Sequence, residues 1–277
     1  MTGTWLITGA SRGFGRSLTE AVLTAGGQVV ATARRPERLA DLADRHGGRL
    51  RAVALDVTDP AAAREAVRTG VEAFGVLDVV VNNAGYANSA PIEEMTDQDF
   101  RAQVEANFFG VVNVTRAALP VLRAQRAGTF VQFSSVGGRV GGTPGMGAYQ
   151  SAKFAVEGFS EVLAAEVAPF GLAVVIVEPG AFRTDWQGSS MELHAVGEDY
   201  RETVGAMNAY RAANDGTQPG DPDRAARVIL DVVGRPDPPR RLLLGAQAVT
   251  AALAAGRARE AETEHWAEIS RSADFPA

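Results

Sequence analysis

Short apolar runs rich in β-branched residues recur along the chain, and longer stretches with helical periodicity separate them. The runs read TWLIT, QVVATA, LRAVALD, VLDVVVNN, GTFVQFSS, LAVVIVEPG and RRLLLG. This alternation is typical of a parallel sheet built from βαβ units. Most of the runs are apolar throughout, as expected of strands that are buried on both faces. The sequence therefore predicts an α/β fold around a parallel sheet.

The rest of the chain contains one irregular segment and one helical tail. No linker, low-complexity segment or repeat divides the 277 residues, so we predict a single domain over residues 1–246. The regular alternation stops over residues 181–221, where Trp, Met and Tyr mix with acidic residues and glycines. Such an insertion after a strand usually forms a lid or a pocket wall. Residues 247–277 are rich in helix formers and predict a C-terminal helical extension.

The composition excludes several kinds of site. The chain has no cysteine, which rules out disulfides, thiolate catalysis and thiolate metal ligation. Its three histidines, His46, His194 and His265, lie in no ligand spacing, so no metal site is predicted. A formal net charge of -6 argues against nucleic acid as the main partner. A secretory signal pattern and a membrane-spanning apolar run are both missing, which favours a cytoplasmic protein without a membrane partner.

A glycine-rich segment follows the first apolar run. It reads TGASRGFG, from Thr8 to Gly15, and leads into a stretch with helical periodicity that stops at a Gly-Gly pair. Gly9, Gly13 and Gly15 would let the backbone turn tightly and approach a pyrophosphate, whose charge the helix N-terminus would meet. The spacing differs from the commoner G-x-G-x-x-G fingerprint, so a tight turn without a ligand is the alternative.

The second apolar run indicates which dinucleotide would be bound. Sites for NAD place an acidic residue there for the ribose 2′-hydroxyl, whereas sites for NADP place arginine there for the 2′-phosphate. In this chain Ala33 stands near the expected acid, and Arg34 and Arg35 follow it. Arg12, inside the glycine-rich segment, could reach the same phosphate, which a planar guanidinium binds well. The pattern favours NADP(H), and a solvated basic turn is the alternative.

The segment YQSAK places Tyr149 and Lys153 four residues apart, on one face of a helix. A nearby ammonium lowers the pKa of a phenol, which would suit the tyrosine to proton transfer. Such pairs are also common on surface helices, but the residues that follow are apolar around most of the helix and predict a buried one. Ser134 and Ser135 end the preceding apolar run, at the edge of the sheet where α/β proteins bind ligands. A serine there can hydrogen-bond a carbonyl or hydroxyl oxygen.

The segments TGASRGFG, NNAG, SSVGG, YQSAK and EPG occur in this order along the chain. The ordered set resembles the single-domain short-chain dehydrogenase/reductase family, and the resemblance covers residues 4–245 approximately. It implies a Rossmann-like, doubly wound sheet of about seven parallel strands in a single domain. It also implies hydride transfer between NAD(P) and a carbonyl compound or alcohol, and within the family Arg12 and Arg34 resemble determinants of NADP(H).

The resemblance further implies roles for particular residues. Tyr149 matches the general acid/base, and Lys153 matches the residue that lowers its pKa and holds the nicotinamide ribose. Ser135 matches the serine that positions the substrate oxygen, and Asn107 matches the asparagine that supports a water relay to the lysine. The implied cofactor contacts are Gly9, Ser11, Arg12, Gly13, Phe14, Gly15, Arg34, Arg35, Asp56, Val57, Asn82, Ala84, Gly85, Tyr149, Lys153, Pro179, Gly180 and Thr184. The span from Ser135 to Tyr149 is slightly longer than is usual in the family, so we expect a small bulge there.

Two alternatives to a carbonyl reductase are a non-catalytic NADP-sensing protein and an epimerase or dehydratase that uses bound NADP. The intact set of catalytic residue types disfavours the sensor, and the glycine spacing and short C-terminal portion disfavour the epimerase. The candidate wall residues are mostly apolar and predict a lipophilic or aromatic substrate, although packing within the loop would also explain them. They are Val136, Val140, Met146, Phe182, Trp186, Met191 and Tyr200. Apolar helices on either side of the serine segment predict a homo-oligomer, as in the family, either a dimer or a tetramer.

Overall fold

The computed structural model describes residues 3–186, 188 and 190–275, and within them a sheet of seven parallel strands forms the centre of the molecule. The strands of this part of the chain are β1 (Thr4–Ile7), β2 (Gln28–Ala33), β3 (Leu50–Ala54), β4 (Val79–Asn82), β5 (Ala87–Ser89), β6 (Gly128–Phe133), β7 (Leu172–Pro179), β8 (Met191–Leu193) and β9 (Arg241–Leu244). The order in the sheet is β3-β2-β1-β4-β6-β7-β9, and β5 and β8 pair separately. The predicted α/β fold with a seven-stranded parallel sheet is confirmed.

Helices cover both faces of the sheet and connect its strands. They are α1 (Gly13–Thr24), α2 (Ala40–His46), α3 (Pro60–Phe74), α4 (Asp97–Val104), α5 (Gly110–Gln125), α6 (Gly147–Val167), α7 (Ala206–Ala213), α8 (Pro222–Val233) and α9 (Ala246–Arg271). A turn of π-helix, Glu105–Phe109, joins α4 to α5 without a break. The chain runs outward from β1 to β3 and then returns to the other side of β1, so the sheet is doubly wound. None of the helices in the described residues has the length and hydropathy of a membrane span.

Each central strand contributes side chains to two hydrophobic cores, one on each face of the sheet. In β1, Trp5 and Ile7 belong to the core that α1 and α8 cover, and Leu6 belongs to the core that α3, α5 and α6 cover. All three side chains are fully buried. Side chains alternate between the two faces along a strand, so a strand with helices on both sides is apolar at every position.

Local signals in the sequence set the ends of the helices. Asp59 precedes Pro60 at the start of α3, and its side chain accepts hydrogen bonds from the backbone N–H groups of Ala61 and Ala62. Gly75 follows the same helix with a φ of 78°, a conformation that favours glycine. A second Asp-Pro pair starts α8 in the same way.

The irregular segment 181–221 leaves the sheet after β7 and returns at nearly the same place. Its two ends meet in a short bridge between Phe182 and Gly220, where the Arg183 N–H donates to the Gly220 carbonyl oxygen (2.9 Å). Between these ends lie β8, which pairs with β5, and α7. Residues 187 and 189 of this predicted loop, and residues 1, 2, 276 and 277 of the predicted domain ranges, lie outside the described residues.

A buried arginine ties the middle of this segment to the rest of the fold. Arg211, in α7, is 5% exposed. It donates from Nη1 to Ser89 Oγ (2.9 Å) and Asn208 Oδ1 (3.0 Å), and from Nη2 to the Pro144 carbonyl oxygen (3.2 Å). Ser89 belongs to β5 and Pro144 to the loop before α6, so a single guanidinium joins three parts of the chain.

Candidate active site

A cavity of about 1020 Å³ opens at the carboxyl edge of the sheet. The strand order reverses beside β1, and such a switch point is where doubly wound sheets bind ligands. Most of the residues singled out in the sequence line this cavity. They are Gly9, Ser11, Arg12, Gly13, Phe14, Arg34, Arg35, Asp56, Val57, Ala84, Gly85, Asn107, Ser135, Tyr149, Lys153, Pro179, Gly180 and Thr184. Two of the predicted site residues, Gly15 and Asn82, do not line it.

The glycine-rich loop after β1 packs closely against its neighbours. Gly9 and Gly13 have φ of 67° and 53°, a region that favours glycine. Gly15 lies in the first turn of α1, where a Cβ would collide with the Gly9 carbonyl oxygen. Because α1 begins at Gly13, its N-terminus, the positive end of the helix dipole, borders the cavity. Because these positions carry no side chain, a ligand can approach the backbone of the loop closely.

Asn82, the last residue of β4, and Asn83, which follows it, direct their side chains to different partners. The Asn82 side chain is buried and donates from Nδ2 to Thr115 Oγ1 (3.0 Å) and Gln132 Oε1 (2.9 Å), so it links β4 to α5 and β6. Asn83 lines the cavity and donates from Nδ2 to the Thr8 carbonyl oxygen (2.8 Å), which fixes the start of the glycine-rich loop. The sequence prediction misses Asn83. Its position in NNAG could have indicated it, because side chains alternate along a strand and consecutive asparagines therefore point to opposite sides.

Basic side chains surround one end of the cavity. Arg34 and Arg35 follow β2, are exposed and line the cavity together with Arg12. Arg38, which the sequence prediction misses, joins them from the same turn. Ala33, at the end of β2, also lines the cavity, in the place where an acidic residue would bind a ribose hydroxyl. Guanidinium groups grouped in this way suit a phosphate dianion.

Tyr149 and Lys153 lie one turn apart on the face of α6 that borders the cavity. Their exposed fractions are 7% and 4%. Lys153 Nζ lies 5.7 Å from the centroid of the Tyr149 ring and donates a hydrogen bond to the Phe133 carbonyl oxygen (2.8 Å). Ser135, just beyond β6, forms a side-chain hydrogen bond with Tyr149. A phenol, an ammonium and a hydroxyl thus meet at one wall of the cavity.

Burial shifts the two titratable groups in opposite directions. It raises the pKa of Tyr149 to about 12, and the hydrogen bond with Ser135 offsets only part of this effect. It lowers the pKa of Lys153 to about 8, and the negative charge of Glu157 acts against that change. Burial therefore acts on the Tyr149 pKa in the direction opposite to the one expected of the Lys153 ammonium, and the lowering by Lys153 stays a prediction.

Asn107 reaches the cavity from the π-helical turn between α4 and α5. Such turns are frequent at functional sites. Its Nδ2 donates to the carbonyl oxygens of Tyr86 (2.9 Å) and Gln103 (2.9 Å), while its Oδ1 is buried without a hydrogen-bond partner among the described residues. Gly85 lies between Asn107 and Lys153: a Cβ on Gly85 would collide with Asn107 Oδ1 and lie 3.8 Å from Lys153 Nζ. The unpaired oxygen is therefore an acceptor close to the ammonium.

The other end of the cavity is aromatic and apolar. The rings of Tyr149 and Trp186 pack with their centroids 5.1 Å apart, and Met146 and Met191 belong to the same cluster. Phe182 lines the cavity as well. Four of the seven predicted wall residues are thus at or directly behind this wall.

The other three predicted wall residues, Val136, Val140 and Tyr200, do not line the cavity. The Tyr200 hydroxyl donates to Glu93 (2.5 Å) at the surface. The Val140 carbonyl oxygen accepts from Arg259 Nη2 (3.1 Å), so this part of the loop faces α9. The path of an irregular loop depends on such distant contacts, which residue type alone does not specify.

The sequence matches a family model and the sequences of several relatives. The model described as short chain dehydrogenase matches residues 4–194. The oxidoreductase BOA17 of Botryotinia fuckeliana is 50% identical over 98% of this chain and 98% of its own length. The 3-ketodihydrosphingosine reductase of Bacteroides thetaiotaomicron is 36% identical over 87% of this chain and 87% of its own length.

Solved structures match the fold over the same range. A short-chain dehydrogenase from Streptomyces avermitilis is 39% identical and matches with a TM-score of 0.91, covering 99% of this chain and 98% of that one. The closed form of a serine dehydrogenase complexed with NADP+ is 26% identical and matches with a TM-score of 0.75, covering 87% of this chain and 94% of that one. By both its sequence and its fold, the chain belongs to the short-chain dehydrogenase family of oxidoreductases.

Proposed function

We propose that the chain is an NADP(H)-dependent enzyme that interconverts a ketone or aldehyde and the corresponding alcohol, with Tyr149 as general acid/base. One observation carries the proposal: Tyr149, with Lys153 and Ser135 beside it, stands in the same cavity as the glycine-rich loop. When bound, the dinucleotide would supply the hydride. The residues of the chain would bind and orient the reactants and move the proton.

The cavity fits a dinucleotide that carries a 2′-phosphate. The close backbone packing at Gly9 and Gly15 and the N-terminus of α1 suit a pyrophosphate, and Arg34 and Arg35 suit the extra phosphate. The complex of the related serine dehydrogenase with NADP+ supports the same choice. Asn82 would contribute only through its backbone, because its side chain points away. The other proposed contacts are Ser11, Arg12, Gly13, Phe14, Asp56, Val57, Ala84, Gly85, Tyr149, Lys153, Pro179, Gly180 and Thr184.

The proton would come from the Tyr149 hydroxyl. Its raised pKa keeps the phenol protonated at neutral pH, so it can donate to a carbonyl oxygen as negative charge develops there. Ser135 Oγ would donate a hydrogen bond to the same oxygen. The Lys153 ammonium would stabilise the phenolate that remains, and Asn107 Oδ1 would accept a hydrogen bond from a water that returns the proton.

We propose a lipophilic or aromatic carbonyl compound as the substrate. The wall formed by Trp186, Met146 and Met191 beside Tyr149 would remove apolar substrate surface from water. The relative named as a 3-ketodihydrosphingosine reductase supports a lipophilic ketone. A long-chain 3-ketone and an aryl ketone are therefore the first compounds to test.

The experiment compares the wild type with Tyr149→Phe. NADPH and NADH binding is followed by cofactor fluorescence, and turnover of the ketones and aldehydes is followed at 340 nm. We expect a preference for NADPH in the wild type, and in Tyr149→Phe an unchanged NADPH affinity with turnover lower by roughly 10²- to 10⁴-fold. Tyr86→Phe is the matched control, because Tyr86 lines the same cavity and loses the same atom.

Each other outcome contradicts part of the proposal. Full turnover in Tyr149→Phe would remove the tyrosine from the mechanism. NADPH binding without turnover of any compound would favour a non-catalytic NADP-sensing protein. Conversion of substrate without a net change at 340 nm would favour an epimerase or dehydratase. Failure to bind either nucleotide would refute the cofactor assignment.

A further inference from the structure

A group of carboxylates and guanidinium groups lies beside Lys153, outside the lining of the cavity, and two of its carboxylates, Glu157 and Glu178, are buried while its other members are partly exposed. Glu157 follows Lys153 by one turn of α6 and is 6% exposed. Arg241, in β9, places Nε 3.2 Å from Glu157 Oε2 and 3.2 Å from Glu178 Oε1. Glu178 is fully buried in β7, and Arg139 Nη1 lies 3.2 Å from its Oε2. We call Glu157, Glu161, Glu178, Arg139 and Arg241 the buried ion cluster.

With Lys153 counted, the positive charges in and beside this cluster equal its carboxylates in number. Glu161 also pairs with Arg241, so three carboxylates face two guanidinium groups. Burial raises the pKa of both Glu157 and Glu178, which shows that each carboxylate has lost solvation. A buried carboxylate without enough positive charge nearby is strongly destabilising. The Lys153 ammonium is the neighbouring cation that completes the balance.

Lys153 is a buried cation that needs a negative charge nearby. Its side chain is 4% exposed, and the Phe133 carbonyl oxygen, to which it donates a hydrogen bond, is a neutral acceptor. Burial without a counter-charge favours the neutral amine, which could not stabilise a phenolate at Tyr149. Glu157 is placed to oppose this, since residues four apart on a helix are neighbours. The negative charge of Glu157 raises the pKa of Lys153, against the effect of burial.

We propose that Glu157 is a positioning residue of the site: its carboxylate, held by Arg241, keeps Lys153 in the ammonium form beside Tyr149. The catalytic consequence of this inference rests on the proposed function. The effect on Lys153 itself does not, because it concerns only the charges of the chain. Glu157 lies outside the motif YQSAK, so the spacing of Tyr149 and Lys153 alone does not reveal its role.

The groups that face Lys153 come from several elements. Tyr149 and Glu157 belong to α6, and the Phe133 carbonyl and Ser134 come from the end of β6. Of the rest of the buried ion cluster, Glu161 also belongs to α6, and Glu178, Arg241 and Arg139 come from β7, β9 and the turn after β6. Replacing the Glu157 carboxylate by an amide removes a negative charge, so the pKa of Lys153 should fall and the ammonium should be lost at a lower pH.

The sequence offers a direct measurement, because Lys153 is the only lysine in the chain. Protein labelled with ¹³C-lysine therefore gives one Cε signal, whose shift against pH reports the Lys153 pKa without any cofactor or substrate. We expect a midpoint of about 8 in the wild type and a midpoint lower by about 1 pH unit in Glu157→Gln. Glu161→Gln is the matched control, since Glu161 also binds Arg241 but lies two turns from Lys153 and is 42% exposed.

An unchanged midpoint in Glu157→Gln would overturn the inference. An equal shift in Glu161→Gln would overturn it as well, because the shift would then come from disturbing Arg241 and not from losing the Glu157 charge. If Glu157→Gln does not fold, Glu157→Asp keeps the charge one methylene further away and should give an intermediate midpoint. A second readout is the pH profile of turnover, whose alkaline limb should move down in Glu157→Gln only. Absence of any wild-type turnover would contradict the proposed function and leave the lysine titration to decide this inference.

Discussion

Burial determines which protonation states Tyr149 and Lys153 prefer. Both side chains are removed from water, so the phenol and the amine are each favoured in the neutral form. The neutral phenol is the form that donates a proton to a carbonyl oxygen. The neutral amine is the form that cannot support the resulting phenolate. The reaction thus needs Tyr149 neutral and Lys153 charged, although burial favours the neutral form of both. In our proposal, Glu157 of the buried ion cluster keeps Lys153 charged.

The pKa shift of Lys153 predicts a dependence of stability on pH. The amine titrates at about 8 in the folded chain against 10.5 as its ordinary value, so between these pH values the unfolded chain binds more protons. The free energy of unfolding should therefore gain a contribution as pH rises through this window and lose it as pH falls through about 8. Above pH 10, tyrosine titration adds the opposite trend.

Urea denaturation of the wild type and of Lys153→Met, compared between pH 8 and pH 10, measures this contribution. The wild-type free energy of unfolding should rise relative to that of the variant across this range. Parallel curves for the two proteins would mean that Lys153 titrates normally and would contradict the shift.

At the scale of elements, the main sheet and its helices were predictable because their signals are local. Trp5, Leu6 and Ile7 are apolar at successive positions, and Asp59 with Pro60 starts a helix by contacts within three residues. The pairing of β5 with β8 was not predictable, since each has three residues and about a hundred others separate them. The π-helical turn at Asn107 was also missed, because its sequence has ordinary helical periodicity.

The two halves of α9 have different relations to the rest of the chain. Ala248 and Ala252 are buried, and Ala248 packs beside Gly180 at the edge of the cavity. Arg259 makes the hydrogen bond to Val140, while most residues beyond it are exposed, with Trp266 at 51%. The first half of the helix therefore supports the site, and the second half projects from it.

Two truncations test this division. A chain that ends at Glu260 should keep its melting temperature, because the residues removed bury little surface. A chain that ends at Ala246 should lose roughly 2 kcal/mol of stability, or about 5 °C, because it uncovers the apolar surface under Ala248 and Ala252. Thermal denaturation followed by circular dichroism measures both. Equal losses in the two chains would contradict the division of the helix.

At the scale of the whole molecule, large apolar side chains remain exposed on α6 and at the end of the π-helical turn that leads into α5. Phe109 is 44% exposed, Phe154 41% and Val162 58%. Exposed large apolar side chains are frequent at interfaces between subunits, and most such assemblies are symmetric. We propose that this surface joins copies of the chain, as the sequence predicted for the same helices.

Light scattering coupled to size-exclusion chromatography tests the assembly. We expect the wild type to have the mass of a dimer or tetramer and Val162→Glu to dissociate, because a buried carboxylate without a partner is costly. Val228→Glu is the control, since Val228 is 43% exposed on α8 at another face. A monomeric wild type, or dissociation by both variants alike, would count against an interface at α5 and α6.

The bridge between Phe182 and Gly220 gives segment 181–221 the properties of an exchangeable module. The segment leaves and re-enters the framework at adjacent residues, so insertions within it need not shift β7 or α8. Tyr149, Lys153 and the glycine-rich loop all lie outside it. Natural variation can therefore change the aromatic wall around Trp186 independently of the residues around the phenol. A transplant of segment 181–221 between relatives should keep Thr184 and the hydrogen bonds from Arg211 to Ser89 and Pro144, and exchange the residues around Trp186.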